Sequence, residues 1–205
     1  MDDATVLNHR HTPDAIARAR AIELVLFDVD GVLTDGRLWY FPSGESGLVE
    51  VKGFSAHDGI GIGLARRAGL QTGVVTKRRS LSVERRARDL RLNYVHQGVD
   101  RKYDALQAIW KESGLGPRQT CAMGDDIVDL PMLEHAGLAA APANARPEVL
   151  AAAHFVSAHH GGEGAARDLI EFILVAKGIW EKTLHQYLTA PESDYAGAAT
   201  AEAAR

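Results

Sequence analysis

Two carboxylates, Asp28 and Asp30, stand i and i+2 at the end of the apolar run Leu24-Val25-Leu26-Phe27, and Gly31 follows them at once. Side chains alternate along extended backbone, so both acids leave the strand end on the same side, and Gly31 permits the turn beyond them. Held together they repel each other unless a cation sits between them. An oxygen-only donor set favours a hard ion such as magnesium. A bare D-x-D is also what an acid-rich turn after a strand looks like, so the rest of the chain decides between the two.

Three more features join the pair. Thr76 closes the apolar stretch 70–75, Lys102 stands near the start of a helical stretch, and Asp125-Asp126-x-x-Asp129 follows Thr120-Cys121-Ala122-Met123-Gly124. Acids, a hydroxyl and a lysine at successive strand ends and a helix start suit phosphoryl transfer. One carboxylate attacks phosphorus and becomes an aspartyl phosphate, and a second protonates the leaving alkoxide and then activates water. A hard metal and a lysine offset charge on the transferring group, while a hydroxyl donates to one of its oxygens.

The elements that must position these residues alternate along the chain. Thr12-Pro13-Asp14 opens a helix that delivers the chain to the first strand. Residues 38–41 and 48–51 read as the two arms of a β-hairpin around a turn-rich connection. A helix runs from Asp58, capped by it or a neighbour, to Gly69, and its Gly59-x-Gly61-x-Gly63 lacks the spacing of a dinucleotide-binding turn. Strands follow at 70–76, 92–96, 120–124, 136–141 and 154–156. Helices are expected at 80–90, 101–112, after the second acidic cluster through His135, at 147–150 and at 165–177. Segment 178–188 is one more helix or a docking tail. The economical architecture is α/β, a doubly wound and mostly parallel sheet with helices on both faces. Ligands bind such sheets beyond the carboxyl ends of the strands, where Asp28, Asp30, Thr76, Asp125 and Asp126 fall.

The chain has 205 residues, 46% of them hydrophobic, which suits one well-buried core rather than two. Residues 1–190 are read as one domain with a hairpin flap at about 37–52; residues 1–11 read as loose and 191–205 as a disordered tail. A net charge of −4 with interspersed signs gives no nucleic-acid surface. A single cysteine, Cys121, fits a reducing compartment, and no apolar run approaches the ~18 residues of a membrane span. A cytoplasmic protein is the expectation.

Asp28-Val29-Asp30-Gly31-Val32-Leu33-Thr34-Asp35-Gly36 resembles the first motif of the haloacid dehalogenase superfamily of phosphatases. Thr76, Lys102 and Gly124-Asp125-Asp126-x-x-Asp129 match its second, third and fourth motifs, in order. Phe54-x-x-x-Asp58-Gly59-x-Gly61, Gly161-Gly162-x-Gly164-Ala165-x-Arg167 and a hairpin in place of a large cap are similar to the sugar-acid phosphatases of that superfamily, which act on 3-deoxy-D-manno-octulosonate 8-phosphate or on nonulosonate 9-phosphates. The resemblance covers about residues 20–178 and implies the Rossmann-like haloacid dehalogenase fold. It implies Asp28 as nucleophile and Asp30 as general acid/base. Magnesium would be held by Asp28, Asp125 and the backbone carbonyl of Asp30, with Asp126 behind metal or lysine and Asp129 orienting the helix. Thr76 and Lys102 would bind the phosphoryl group, with Asp58 and Arg167 placed among the substrate-binding residues. It further implies a homotetramer around the hairpins, a small sugar acid phosphate as substrate and a place in lipopolysaccharide sugar supply.

Two positions depart from the family pattern. Lys77 stands where glycine usually follows the motif threonine, and His57 where arginine usually precedes Asp58. His159 and His160 beside the glycine turn lack partners at zinc-ligand spacing. Two other classes share part of the pattern: a signalling receiver domain, which also pairs acids with threonine and lysine, and a phosphatase-like domain serving mainly in oligomerisation. The D-x-D spacing argues against the first and the complete catalytic set against the second.

Overall fold

A computed structural model describes residues 12–44 and 47–189. The expectations for 1–11 and 191–205 lie outside these residues. The first helix, α1 (Pro13–Arg20), starts where Thr12 accepts from the Ala15 amide through its hydroxyl, with proline in the first turn. It leads into β1 (Leu24–Phe27). The hairpin follows as β2 (Trp39–Ser43) and β3 (Gly47–Val51), paired antiparallel and apart from the main sheet. Next come α2 (Ala56–Arg67), β4 (Gln71–Thr76), α3 (Leu81–Leu90), β5 (Tyr94–Gln97), α4 (Lys102–Ser113) and β6 (Thr120–Met123). A single 3-10 turn (Ile127–Asp129) and α5 (Leu130–Leu133) lead to β7 (Leu138–Ala141), α6 (Pro147–Ala152), β8 (Phe155–Val156), α7 (Ala165–Ala176) and α8 (Trp180–Thr189).

The central sheet has the order β5-β4-β1-β6-β7-β8, and every neighbouring pair is parallel. Period-two alternation divides each strand between two cores. Val25 and Phe27 of β1 face α1, α2 and α7, where Ala15, Ile62 and Phe172 are buried. Leu24 and Leu26 face the opposite layer, with Leu106 of α4, Met132 of α5 and Val149 of α6. Burial on both faces is why the strands are continuous apolar runs. Cys121, in mid β6 between β1 and β7, is wholly buried, and burial alone pushes its thiol well up. No helix among the described residues is long and apolar enough to cross a membrane.

Three boundaries differ from the sequence reading. Helix α2 is capped by Ser55, whose hydroxyl accepts from the Asp58 amide, so it begins before Asp58. The helix expected straight after the second acidic cluster is a 3-10 turn and then one short turn of α-helix at Pro131. The segment from 178 resolves as a helix, α8, against α2 and α7. In the hairpin, Trp39, Tyr40 and Phe41 are each about half exposed, 51–53%. No core residue takes them in, because the ribbon stands off the sheet.

At the β7–β8 edge, His154 donates from its amide to the Ala139 carbonyl, while its ring Nδ1 accepts from the Ala139 amide at 3.0 Å. That acceptor exists only in the neutral ring. Burial and then the charge of Arg18 hold the ring below its ordinary value, with Asp14 opposing. The unfolded chain therefore takes the proton more readily. The stabilisation is present above the ordinary histidine value near ~6.5 and is lost as pH falls through the folded one. We expect the difference in unfolding midpoint between the wild type and His154→Ala to narrow as pH drops from about 7 to about 5; a constant difference would sink this reading.

Candidate active site

The carboxyl ends of β1, β4 and β6 meet the start of α4. Asp28 continues the β1 ladder by donating its amide to the Met123 carbonyl at 2.9 Å, which fixes its side chain at the strand end. It is 6% exposed, and the Lys102 ammonium lies 2.7 Å from its Oδ1. Lys102, the first residue of α4, is 3% exposed and also pairs with Asp129 Oδ1. The other oxygen of Asp129 accepts from the amides of Asp125 at 2.9 Å and Asp126 at 3.2 Å. Asp129 therefore orients both the lysine and the loop that carries Asp125, the orienting task expected of it.

Asp28, Asp125 and Asp129 bring carboxylate oxygens within 4.8 Å of one another. Burial pushes Asp125 up to about 7, reinforced by the charges of Asp129, Asp28 and Asp126. Asp28 is also pushed up, first by burial, with Lys102 opposing and Asp129 adding to it. For Lys102 burial acts downward, but the charges of Asp28 and Asp129 outweigh it and hold the group above its ordinary value. One lysine among three clustered acids, two of them buried and Asp125 partly so, leaves the cluster short of positive charge. Both oxygens of Asp129 are engaged, whereas buried Asp28 Oδ1 meets the Lys102 ammonium alone among the described residues. Asp28 and Asp125 are thus the acids with capacity left for a cation.

These residues line an open cleft of about 330 Å³ together with Thr76, Lys77, Arg78, Leu38 and Val128. Thr76 is 2% exposed at the end of β4, beside the acids as expected. Asp30 also lines the cleft but does not join the acid trio. Its Oδ1 pairs with Lys52, just past β3, and Arg78 Nε lies 3.7 Å from its Oδ2.

Two expected residues stand elsewhere. Asp58 is buried on α2, where its Oδ1 accepts from the Arg167 amide at 3.0 Å and so ties α2 to the first turn of α7. Burial pushes it up, against the amides of Arg167, Gly164 and Ala166. The Arg167 guanidinium pairs with Glu171 at 2.6 Å on its own helix. Neither residue lines the cleft formed within this chain, and here they join α2 to the start of α7. Asp126 does line the cleft, exposed at its surface, and accepts from the Ile127 amide at 2.7 Å, while the second partner of Lys102 is Asp129. His159 lies 2.8 Å from Asp168 Oδ2, to which Ser157 also donates, a clasp behind the glycine turn.

Sequence reasoning missed Lys52 and Glu50. Glu50 on β3 pairs with Arg78, which also donates to the Tyr40 hydroxyl at 3.0 Å, and Lys52 Nζ is 3.4 Å from Glu50. Nothing local marks either residue, because alternating charges on a hairpin read as a solvated edge. Arg78 was visible only as part of the basic run 77–79.

Residues 86–169 match the haloacid dehalogenase-like hydrolase family. Over 165 residues, 80% of this chain and 86% of the relative, the sequence is 34% identical to 3-deoxy-D-manno-octulosonate 8-phosphate phosphatase of Escherichia coli K12. The chain belongs to the haloacid dehalogenase-like hydrolases and is one of their phosphatases, a phosphoric monoester hydrolase. Among solved structures it is similar to 3-deoxy-D-manno-octulosonate 8-phosphate phosphatase from Moraxella catarrhalis in complex with a magnesium ion, a phosphate ion and the sugar acid. That match has a TM-score of 0.81 at 30% identity, covering 86% of this chain and 99% of the other. The cobalt-bound Haemophilus influenzae phosphatase of the same name gives 0.76 at 36% identity over 83% and 99%.

Proposed function

We propose that the chain is a magnesium-dependent phosphatase of a 2-keto-3-deoxy sugar acid phosphate, 3-deoxy-D-manno-octulosonate 8-phosphate, working in the cytoplasm in lipopolysaccharide sugar supply. Residues 1–190 act as one catalytic domain, within a homotetramer. The observation that carries the chemistry is Asp28, buried between Lys102 and Asp125 where three strand ends meet. The named relatives support the substrate.

The residues fit a hard cation, since three clustered acids, Asp28, Asp125 and Asp129, share the one lysine that pairs with Asp28 and Asp129. Asp28, Asp125 and the backbone carbonyl of Asp30 would hold magnesium, which when bound offsets negative charge on the phosphoryl group in flight. Asp28 attacks phosphorus, the ester bond to the sugar oxygen breaks, and Asp30 gives that oxygen its proton. Asp30 then takes a proton from water as the water attacks the aspartyl phosphate, which frees phosphate and Asp28. Lys102 keeps Asp28 anionic before attack, and Lys102 and Thr76 bind phosphoryl oxygens. Lys77 at the mouth presents its charge to the sugar carboxylate.

Phosphate release across eight-carbon and nine-carbon sugar acid phosphates, with and without magnesium, tests this. The eight-carbon 8-phosphate is expected to turn over fastest, and chelation to abolish turnover. A preference for the nine-carbon esters would reassign the substrate; equal rates on generic phosphoesters or indifference to metal would remove the specific claim. A stable phosphorylated protein without turnover would indicate signalling.

A further inference from the structure

Asp30 is held by the hairpin. Lys52 reaches it from the end of the returning strand, its side chain only 1% exposed, with Asp30 on one side and Glu50 on the other. Glu50 is fixed in turn by Arg78, from the loop after β4. Burial acts upward on Glu50, yet the Arg78 and Ser80 hydrogen bonds and the charge of Lys52 outweigh it and hold the group below its ordinary value. The ammonium thus stands between two anchored acids.

We propose that Lys52 is the positioning residue for Asp30, clamping Oδ1 and leaving Oδ2 as the oxygen that carries the transferable proton. This rests on the acid/base reading of Asp30 above. The clamp suits both protonation states, since a carboxylate oxygen and the carbonyl oxygen of the neutral acid each accept from an ammonium. Oδ2 faces only Arg78 Nε at 3.7 Å, beyond hydrogen-bond range, so it is free for proton transfer. Lys52 is shielded from solvent and does not line the cleft, so it acts through Asp30 and not on the substrate. A purely structural purpose is poorly served by a buried ion pair, whose desolvation offsets most of its attraction.

The test uses leaving groups. A sugar alkoxide needs a proton from Asp30 to depart, whereas 4-nitrophenolate departs without one. In Lys52→Met, kcat on 3-deoxy-D-manno-octulosonate 8-phosphate is expected to fall about 10- to 100-fold, part of what a general acid contributes, with KM unchanged. The pre-steady-state burst of nitrophenolate from 4-nitrophenyl phosphate keeps its rate, and Lys52→Arg recovers most of the sugar-phosphate turnover. Glu50→Gln retains Lys52 and carries the same test, with a smaller loss in the same direction, should the methionine variant fold poorly. Equal losses in the burst and in sugar-phosphate turnover, a rise in KM alone, or full activity in Lys52→Met would overturn the proposal. Undiminished sugar-phosphate turnover in Asp30→Asn would instead overturn the acid/base reading on which it rests.

Discussion

Asp28→Asn lowers phosphate release by about 10⁴-fold or more, because the amide cannot form the aspartyl phosphate and nothing else in the cleft stands in its place. The same change should leave the fold intact. Asp28 is a buried acid pushed up by burial and by Asp129, so neutralising it relieves crowding in a cluster that has one lysine for three carboxylates. Lys102 keeps Asp129 as partner and is not stranded. Thermal unfolding of the metal-free variant is therefore expected at or above the wild-type midpoint. Turnover within tenfold of wild type would exclude Asp28 as nucleophile, and a folded, inactive protein would separate chemistry from assembly.

Gly161→Ala is expected to damage both stability and turnover through the backbone. A β-carbon at 161 would lie 1.8 Å from the Gly31 carbonyl oxygen and 2.4 Å from its carbon, so it meets main chain that cannot rotate away. Gly31 has no slack to give. Its own φ is +91°, and a β-carbon there would sit 2.1 Å from Asp125 Oδ2. The glycine turn is thus pressed against the backbone that immediately follows Asp30. Overpacking of this kind should cost about 3 kcal/mol or more, a fall in unfolding midpoint of roughly 6–12 °C. Displacing Asp30 and Asp125 by about an ångström should lower kcat some ~100-fold. A variant that melts like the wild type and turns over normally would show that the turn is loosely apposed.

Sheet and phosphoryl site were legible because local signals and tertiary placement agree there. Asp28, Thr76, Lys102 and Asp125 each sit at the end of a both-faces-buried strand or the start of a helix, which an apolar run followed by a polar residue announces. Asp58 is ambiguous in sequence, because an acid in the first turn of a helix reads equally well as a cap or a ligand. Its actual partner, the Arg167 amide, is 109 residues away. Lys52 stayed hidden for the opposite reason. A lysine at the root of a hairpin has every local mark of a solvated charge, and only the tertiary fold buries it against Asp30. Asp126 and Asp129 could not be ranked from sequence, since only the 3-10 turn decides which of them points inward.

Cys121 lies in mid β6, near the centre of the parallel sheet and three residues before Gly124. Its burial and raised thiol value make it inert while the strands stay paired. The chain therefore carries its own clock for opening of the sheet's middle. Cys121 packs in the layer beneath α1, α2 and α7, so each modification of that thiol records a lifting of those helices from the sheet that carries Asp28 and Asp125 at its strand ends.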